Sequence, residues 1–196
     1  MPDLIDILPV SLRNSLTPGE GFLLRRAVKG EPAVLSSDNA QENDLAKADH
    51  MGGPVRTIRP ELLYWLCTDE DAARIVHARG ITILGAKVPG ELDFDSAVIR
   101  HPLRFNKCAI GEILLMDTET RFLAFVGCHT GPIFADRLNA RGSLFLRGTK
   151  VSGNIPLLGA EIGGTSTAPA RSLRTPEATR SALRALLLKA GCFSGI

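Results

Sequence analysis

At 196 residues, with 44% apolar and 22% charged side chains, the chain is long enough for one domain and an appendage, not for two large domains. A formal net charge of +2 argues against both a strong nucleic-acid binder and an acidic mimic. Nineteen glycines and 12 prolines exceed what a helical bundle tolerates, and no stretch approaches the ~20 apolar residues of a membrane span.

Charge is unevenly spread: −3 over residues 1–55, +1 over residues 56–164 and +4 over residues 165–196. The basic end reads as a solvated tail rather than a contact for phosphate or a membrane surface. No basic segment precedes an apolar run at the N-terminus, so no signal peptide is expected. The four cysteines, Cys67, Cys108, Cys128 and Cys192, show no CxxC spacing. Together these features predict a reduced, soluble, cytoplasmic protein.

In chain order, Thr17-Pro18-Gly19-Glu20 reads as a helix start, with Thr17 as cap, Pro18 at the first helical position and Glu20 completing a capping box. That helix is expected to carry Phe22, Leu23, Ala27 and Val28 on its apolar side and to stop at Gly30. Residues 36–54 are polar and small, and are expected to form a mobile loop. A second helix is expected to open at Pro60 and run through Cys67, carrying the lone Tyr64 and the lone Trp65. So apolar a helix must pack against something. The exposed end of a β-solenoid is the natural partner, and capping is the expected role of both helices.

A repeat begins near residue 81. Small residues recur as Ala86, Ala97, Cys108, Cys128, Thr149 and Ala160, each followed closely by an apolar one. Between them lie apolar pairs: Leu92/Phe94, Leu103/Phe105, Ile113/Leu115, Leu123/Phe125, Leu144/Leu146 and Ile155/Leu157. The period of ten or 11 residues is half of a ~21-residue coil, which puts about four coils into residues 81–164. Ala86, Val88, Gly90, Leu92 and Phe94 are expected to face inward, and Lys87, Glu91, Asp93 and Asp95 outward. The repeat weakens at Arg137–Arg141, where Leu138 lacks a clean partner; a bulge or longer corner is expected. A last helix is predicted after Thr175-Pro176-Glu177, with Ala178, Ala182, Leu183, Leu186, Leu187 and Ala190 on one face.

The predicted fold is therefore mainly β: a right-handed, four-sided parallel β-helix of about four coils with an N-terminal helical cap and a C-terminal helix. Residues 1–80 form the cap region, 81–164 the solenoid and 165–196 a tail with a short helix. A homodimer through residues 176–190 is the expected assembly.

Two constellations invite a chemical reading. Glu91, Asp93 and Asp95 share the outward face, with Glu112 about one coil later. Such a row serves acid–base work or calcium in enzymes of similar shape, but outward positions must be polar in any case, and Arg104 is a candidate neutralising neighbour. The row is a candidate interaction face. Cys108 and Cys128, 20 residues apart, are placed to stack in one interior column. A disulfide or half of a metal site is geometrically open to them, but they occupy the slot filled elsewhere by alanine and threonine, which favours buried free thiols. His50, His77, His101 and His129 follow no metal-ligand spacing; His101 and His129 are expected at corners. No Ser-His-Asp set can be assembled, and no phosphate-binding glycine motif occurs, so no catalytic, cofactor or metal residue is assigned.

The run from His77 through Arg79-Gly80-Ile81, Gly85-Ala86 and Gly90 to Leu92-Asp93-Phe94 resembles a family of bacterial pentapeptide-repeat-like proteins. Gly159-Ala160-Glu161-Ile162-Gly163-Gly164 is similar to the same family, as is Arg56-Thr57-Ile58-Arg59-Pro60-Glu61 upstream. The likeness covers about residues 17–164. It implies a right-handed, four-sided β-helix, and some members bear the label "membrane-associated oxidoreductase". Better-known pentapeptide proteins mimic DNA, which takes a strongly negative surface. The leading expectation is a non-enzymatic binding or scaffold protein with an unknown protein partner and no cofactor. An enzyme or enzyme accessory using the Glu91/Asp93/Asp95 face stands second, and DNA mimicry third.

Overall fold

The computed structural model describes residues 3–37, 43, 45 and 53–164. The predicted loop 36–54 lies largely outside these residues, as do His50, Cys192, the tail 165–196 and its expected helix and dimer contact.

Among its described residues the cap holds five helices: α1 (Leu4–Ile7), α2 (Val10–Arg13), α3 (Pro18–Lys29), α4 (Pro60–Thr68) and α5 (Glu70–Ile75). Helix α3 opens as the sequence predicts. The Thr17 hydroxyl accepts from the Glu20 N–H at 3.1 Å and the Glu20 carboxylate accepts from the Thr17 N–H at 2.9 Å. Gly30, at φ 65°, closes it in the left-handed conformation. Its buried stripe is Glu20, Leu23, Leu24 and Ala27, whereas Phe22 and Val28 are only partly buried. The helical period explains this correction: with residues 20, 23, 24 and 27 turned inward, Val28 falls at the margin and Phe22 on the far side, where each is still partly covered by packing against the core. Helix α4 starts at Pro60 and buries Leu62, Leu63, Trp65, Leu66 and Cys67.

The cap also supplies strand. In β1 (Ala33–Val34), Ala33 and Val34 pair in parallel with Ile83 and Leu84. Further along, Thr57 bridges to Lys87, whose N–H donates to the Arg56 carbonyl at 2.9 Å. Residues 33–35 and 56–58 thus form a discontinuous layer beneath the first coil. The buried Arg56 guanidinium ties the second piece to the corner by donating to the Gly85 carbonyl at 2.9 and 3.1 Å.

Each coil of the solenoid has four faces. The first carries β2 (Ile81–Leu84), β5 (Leu103–Asn106) and the later halves of β7 (Glu119–Val126) and β10 (Asn139–Phe145). The second and third share β3 (Lys87–Asp93) and β6 (Ala109–Leu114). They continue separately, through β8 (His129–Thr130) and β11 (Lys150–Val151) on one and β9 (Ile133–Phe134) on the other. The fourth carries β4 (Val98–Ile99), the early halves of β7 and β10, and β12 (Glu161–Ile162). Partners lie 22 residues apart from Ile81 to Leu103, 20 from Leu103 to Leu123 and 21 from Phe122 to Ser143. The coil length matches the predicted repeat.

The interior is built from columns. Ile81, Leu103, Leu123 and Leu144 stack on the first face, and beside them Ile83, Phe105, Phe125 and Leu146; all are buried. The Phe105 and Phe125 rings lie 5.4 Å apart and nearly coplanar in tilt, at 2°. The third face contributes Leu92/Phe94, Ile113/Leu115, Ile133/Ala135 and Ile155/Leu157. Each small-residue column follows a corner in the left-handed conformation. Gly85, Lys107, Gly127 and Gly148 precede Ala86, Cys108, Cys128 and Thr149, while Ser96, Asp117, Arg137 and Gly159 precede Ala97, Thr118, Leu138 and Ala160. Four of the eight lack glycine, at a cost of about 1 kcal/mol or more each.

Three details differ from the expected pattern. Gly90 is exposed at φ 76°, because Pro89-Gly90 turns a corner and breaks the ladder between Val88 and Glu91. The irregularity expected at Arg137–Arg141 falls at its end, as a register shift between Ala140 and Ser143. Leu138 itself is fully buried in the column of Ala97, Thr118 and Ala160, and the neighbouring column of Phe94, Leu115 and Leu157 holds Ala135 at that level. A large and a small residue have exchanged places, so the coil's interior volume is kept.

Candidate interaction faces

Strand β3 runs outward-polar past the corner at Gly90, which sets Glu91 and Asp93 on the third face and Asp95 at its far corner. Helix α4 lies against β3 and β4, and its exposed side carries Glu61 and Tyr64, three residues apart. Between helix and strand opens a groove of about 400 Å³ lined by Pro60, Glu61, Tyr64, Glu91, Asp93 and Asp95. Glu112 stands in register beside Glu91 one coil on, outside that lining. Sequence reasoning found the row but missed Glu61 and Tyr64. Their only signal was their shared spacing on a helix predicted for its buried side.

The acids differ in what holds them. Asp95 accepts from the Met116 N–H at 2.7 Å, across to the next coil, and Asp136 does the same for Leu158. Asp95 is therefore a corner clamp. Burial pushes its carboxyl up, opposed by the Met116 hydrogen bond and reinforced by the charges of Asp93 and Asp117. Asp93 accepts from the Asp95 N–H at 2.8 Å. Crowded carboxylates of this kind set up a field that favours a cation. Among the described residues no group of three or more His, Cys, Asp or Glu is placed to hold a metal ion.

Arg104 does not neutralise the row. Two corners separate them: the chain turns at Asp95-Ser96 and again at Arg100–Pro102, so Arg104 lies on β5 of the first face. There it donates to the Arg79 carbonyl at 2.9 Å and covers the Phe122 ring at 4.5 Å. The side of a strand on which a residue points is readable from alternation; which face of a coil it occupies is not, unless every corner is placed.

Cys108 and Cys128 stack in one column as expected, and both are buried free thiols, as is Cys67. Cys108 Sγ lies 3.6 Å from the Ile83 carbonyl and Cys128 Sγ 3.4 Å from the Phe105 carbonyl; Thr149 Oγ1 donates to the Phe125 carbonyl at 2.8 Å. One contact recurs in three coils: a small donor satisfies a carbonyl of the coil before it. Thr118 Oγ1 does the same for Phe94 at 2.7 Å in the other column. Cysteine is in these slots because it is small and can donate. Burial pushes Cys67 up to about 12 and raises Cys108 well above the ordinary thiol range, helped by Cys128. Cys128 is drawn the other way by its hydrogen bond with Cys108, against its own burial. Because the two share that bond, the burial of both keeps the pair protonated.

Among the histidines, His101 sits at a corner with Nε2 2.9 Å from the Ala73 carbonyl. His129 does not: it lies in β8, in register with Ala109 and Lys150 on the second face. His77 Nδ1 accepts from the Arg79 N–H at 3.1 Å.

The fold and these faces define a class of protein, a helix-capped parallel β-solenoid with its outward charges sorted by face. No protein-family model, curated protein or solved structure matches the chain. No helix among the described residues is long and apolar enough to cross a membrane.

Proposed function

We propose that this is a non-enzymatic scaffold of the bacterial pentapeptide-repeat-like kind, whose acidic face docks a basic segment of a partner protein. The observation that carries the reading is the groove between α4 and β3, where Glu61, Glu91, Asp93 and Asp95 surround the exposed ring of Tyr64. Four carboxylates around one aromatic suit a lysine or arginine, whose stem lies on the ring while its charge meets the acids. The stacked interior makes the wall of that groove stiff, so little ordering opposes docking. A reducing, cytoplasmic setting agrees with three buried free thiols.

The test is affinity capture from the native host with the wild type and with a Glu91→Ala/Asp93→Ala variant, which spares the Asp95 clamp. The expected result is an unchanged circular-dichroism spectrum and loss of a partner that the wild type holds at low salt. Retention of every partner by the variant would overturn the reading, and so would a substrate turned over by the wild type alone.

A further inference from the structure

Arginines elsewhere in the described chain mostly face carboxylates. Arg26 pairs with Glu31, Arg59 with Glu20, Arg74 with Asp71, Arg100 with Glu70, Arg137 with Asp117 and Arg141 with Glu119. The edge between the fourth and first faces breaks that habit. Here an open groove of about 610 Å³ is lined by Arg79, Thr82, Arg104, Arg121, Phe122 and Ser143, among others, with no acidic residue in its lining. None of the three arginines has an ion pair among the described residues.

The groove is assembled rather than accidental in its geometry. Thr82 and Arg104 are ladder neighbours, as are Phe122 and Ser143 on later coils. Arg104 is held in place by the Arg79 carbonyl, which takes an Nη1 hydrogen, and by the Phe122 ring against its face, while its Nε and Nη2 hydrogens have no partner among the described residues. A guanidinium fixed in this way loses little freedom on meeting a planar carboxylate, which it grips through two parallel N–H donors. Thr82 and Ser143 add hydroxyl-bearing residues to the lining.

We infer that this groove binds an extended, carboxylate-rich peptide segment of a partner protein. The lining steps across four coils, from Thr82 through Arg104 and Phe122 to Ser143, and three spacings of ~4.8 Å give a trough of roughly 14 Å, the length of about four extended residues. Three arginines match the charge of such a segment. A nucleic-acid strand fits less well: a protein that tracks phosphates typically makes about six to ten such contacts, and the groove offers three arginines within four coils. The site lies on a different face from the acidic groove and has the opposite sign, so neither proposal stands or falls with the other.

The test is fluorescence anisotropy with a labelled hexaglutamate peptide and the full chain at low salt. Saturable binding is expected, weakened about tenfold or more by Arg104→Glu and by Arg79→Glu/Arg121→Glu. Arg147→Glu, an exposed reversal outside the groove lining, should leave affinity within about twofold, which separates the groove from net charge. No binding, or equal loss with Arg147→Glu, overturns the assignment. Tighter binding of a single-stranded oligonucleotide gives the groove to nucleic acid instead. Self-association abolished by Arg104→Glu gives it to the acidic row of a second copy. Either result also overturns the proposal.

Discussion

The cap and the solenoid are held by different means. In the cap, single polar contacts join segments far apart in sequence: Glu20, with no exposed surface, takes three hydrogen bonds from Arg59, 39 residues away. In the solenoid, one modest contact is repeated coil after coil, whether it is a ladder pair, a stacked apolar column or a small donor on the preceding carbonyl. Loss of a cap contact should therefore be felt in full, because nothing nearby duplicates it. Loss of one solenoid contact leaves its copies in the adjoining coils intact.

That contrast can be broken most decisively at Glu20. Replacing it with alanine strips Arg59 of its partner and α3 of half its capping box, and should cost about 3–5 kcal/mol in a denaturant titration. Burial pushes the Glu20 carboxyl up, but Arg59 and the N–H groups of Thr17 and Arg59 outweigh it and hold the group below the ordinary carboxylate range. Its stabilising contribution is thus complete above the unfolded-state value and is lost as pH falls through the lower folded one. The difference between wild type and variant should shrink in acid; a constant difference would mean that packing, not charge, is at work.

A smaller effect is expected at Thr149. Its change to valine leaves the Phe125 carbonyl without its 2.8 Å donor and should cost about 1–2 kcal/mol, while Thr149→Ser should retain most of that. A loss as large as that at Glu20 would erase the distinction between the two regions. The least costly change is Asp95→Asn. The amide oxygen can still accept from Met116, and the substitution removes a charge that the fold disfavours. Since the folded value is raised, the charge opposes folding at neutral pH; that opposition fades as pH falls through the folded value and is gone below the unfolded one. Asp95→Asn should raise the thermal midpoint slightly at pH 7 and leave it unchanged near pH 3.

The same contrast sets what the sequence discloses. Coil length, inward columns and the helix starts at Thr17 and Pro60 are written in spacing, because each is either repeated or local. The layer under the first coil is neither. Ala33–Val34 is a strand of two residues and Thr57 a single bridge, and no period marks them. The acidic row was legible from alternation along β3, yet its groove was not, because Glu61 and Tyr64 arrive from a helix whose docking depends on long-range packing. The arginine groove was hidden for the same reason. Arg79, Arg104 and Arg121 lie on different coils, and only the corner geometry brings them to one edge.

The exchange of bulk between Ala135 and Leu138 has a bearing on how such a chain can be lengthened or shortened. A solenoid stacks whole turns on one another, and most of the turns here present similar interior columns to their neighbours. The third does not, since its large side chain fills a corner that its neighbours keep narrow. A duplication whose seam fell between residues 135 and 138 would bring two bulky groups together at one level, or leave a gap there. Viable joins must keep that stretch intact, which makes it a natural unit of inheritance within an otherwise repetitive architecture.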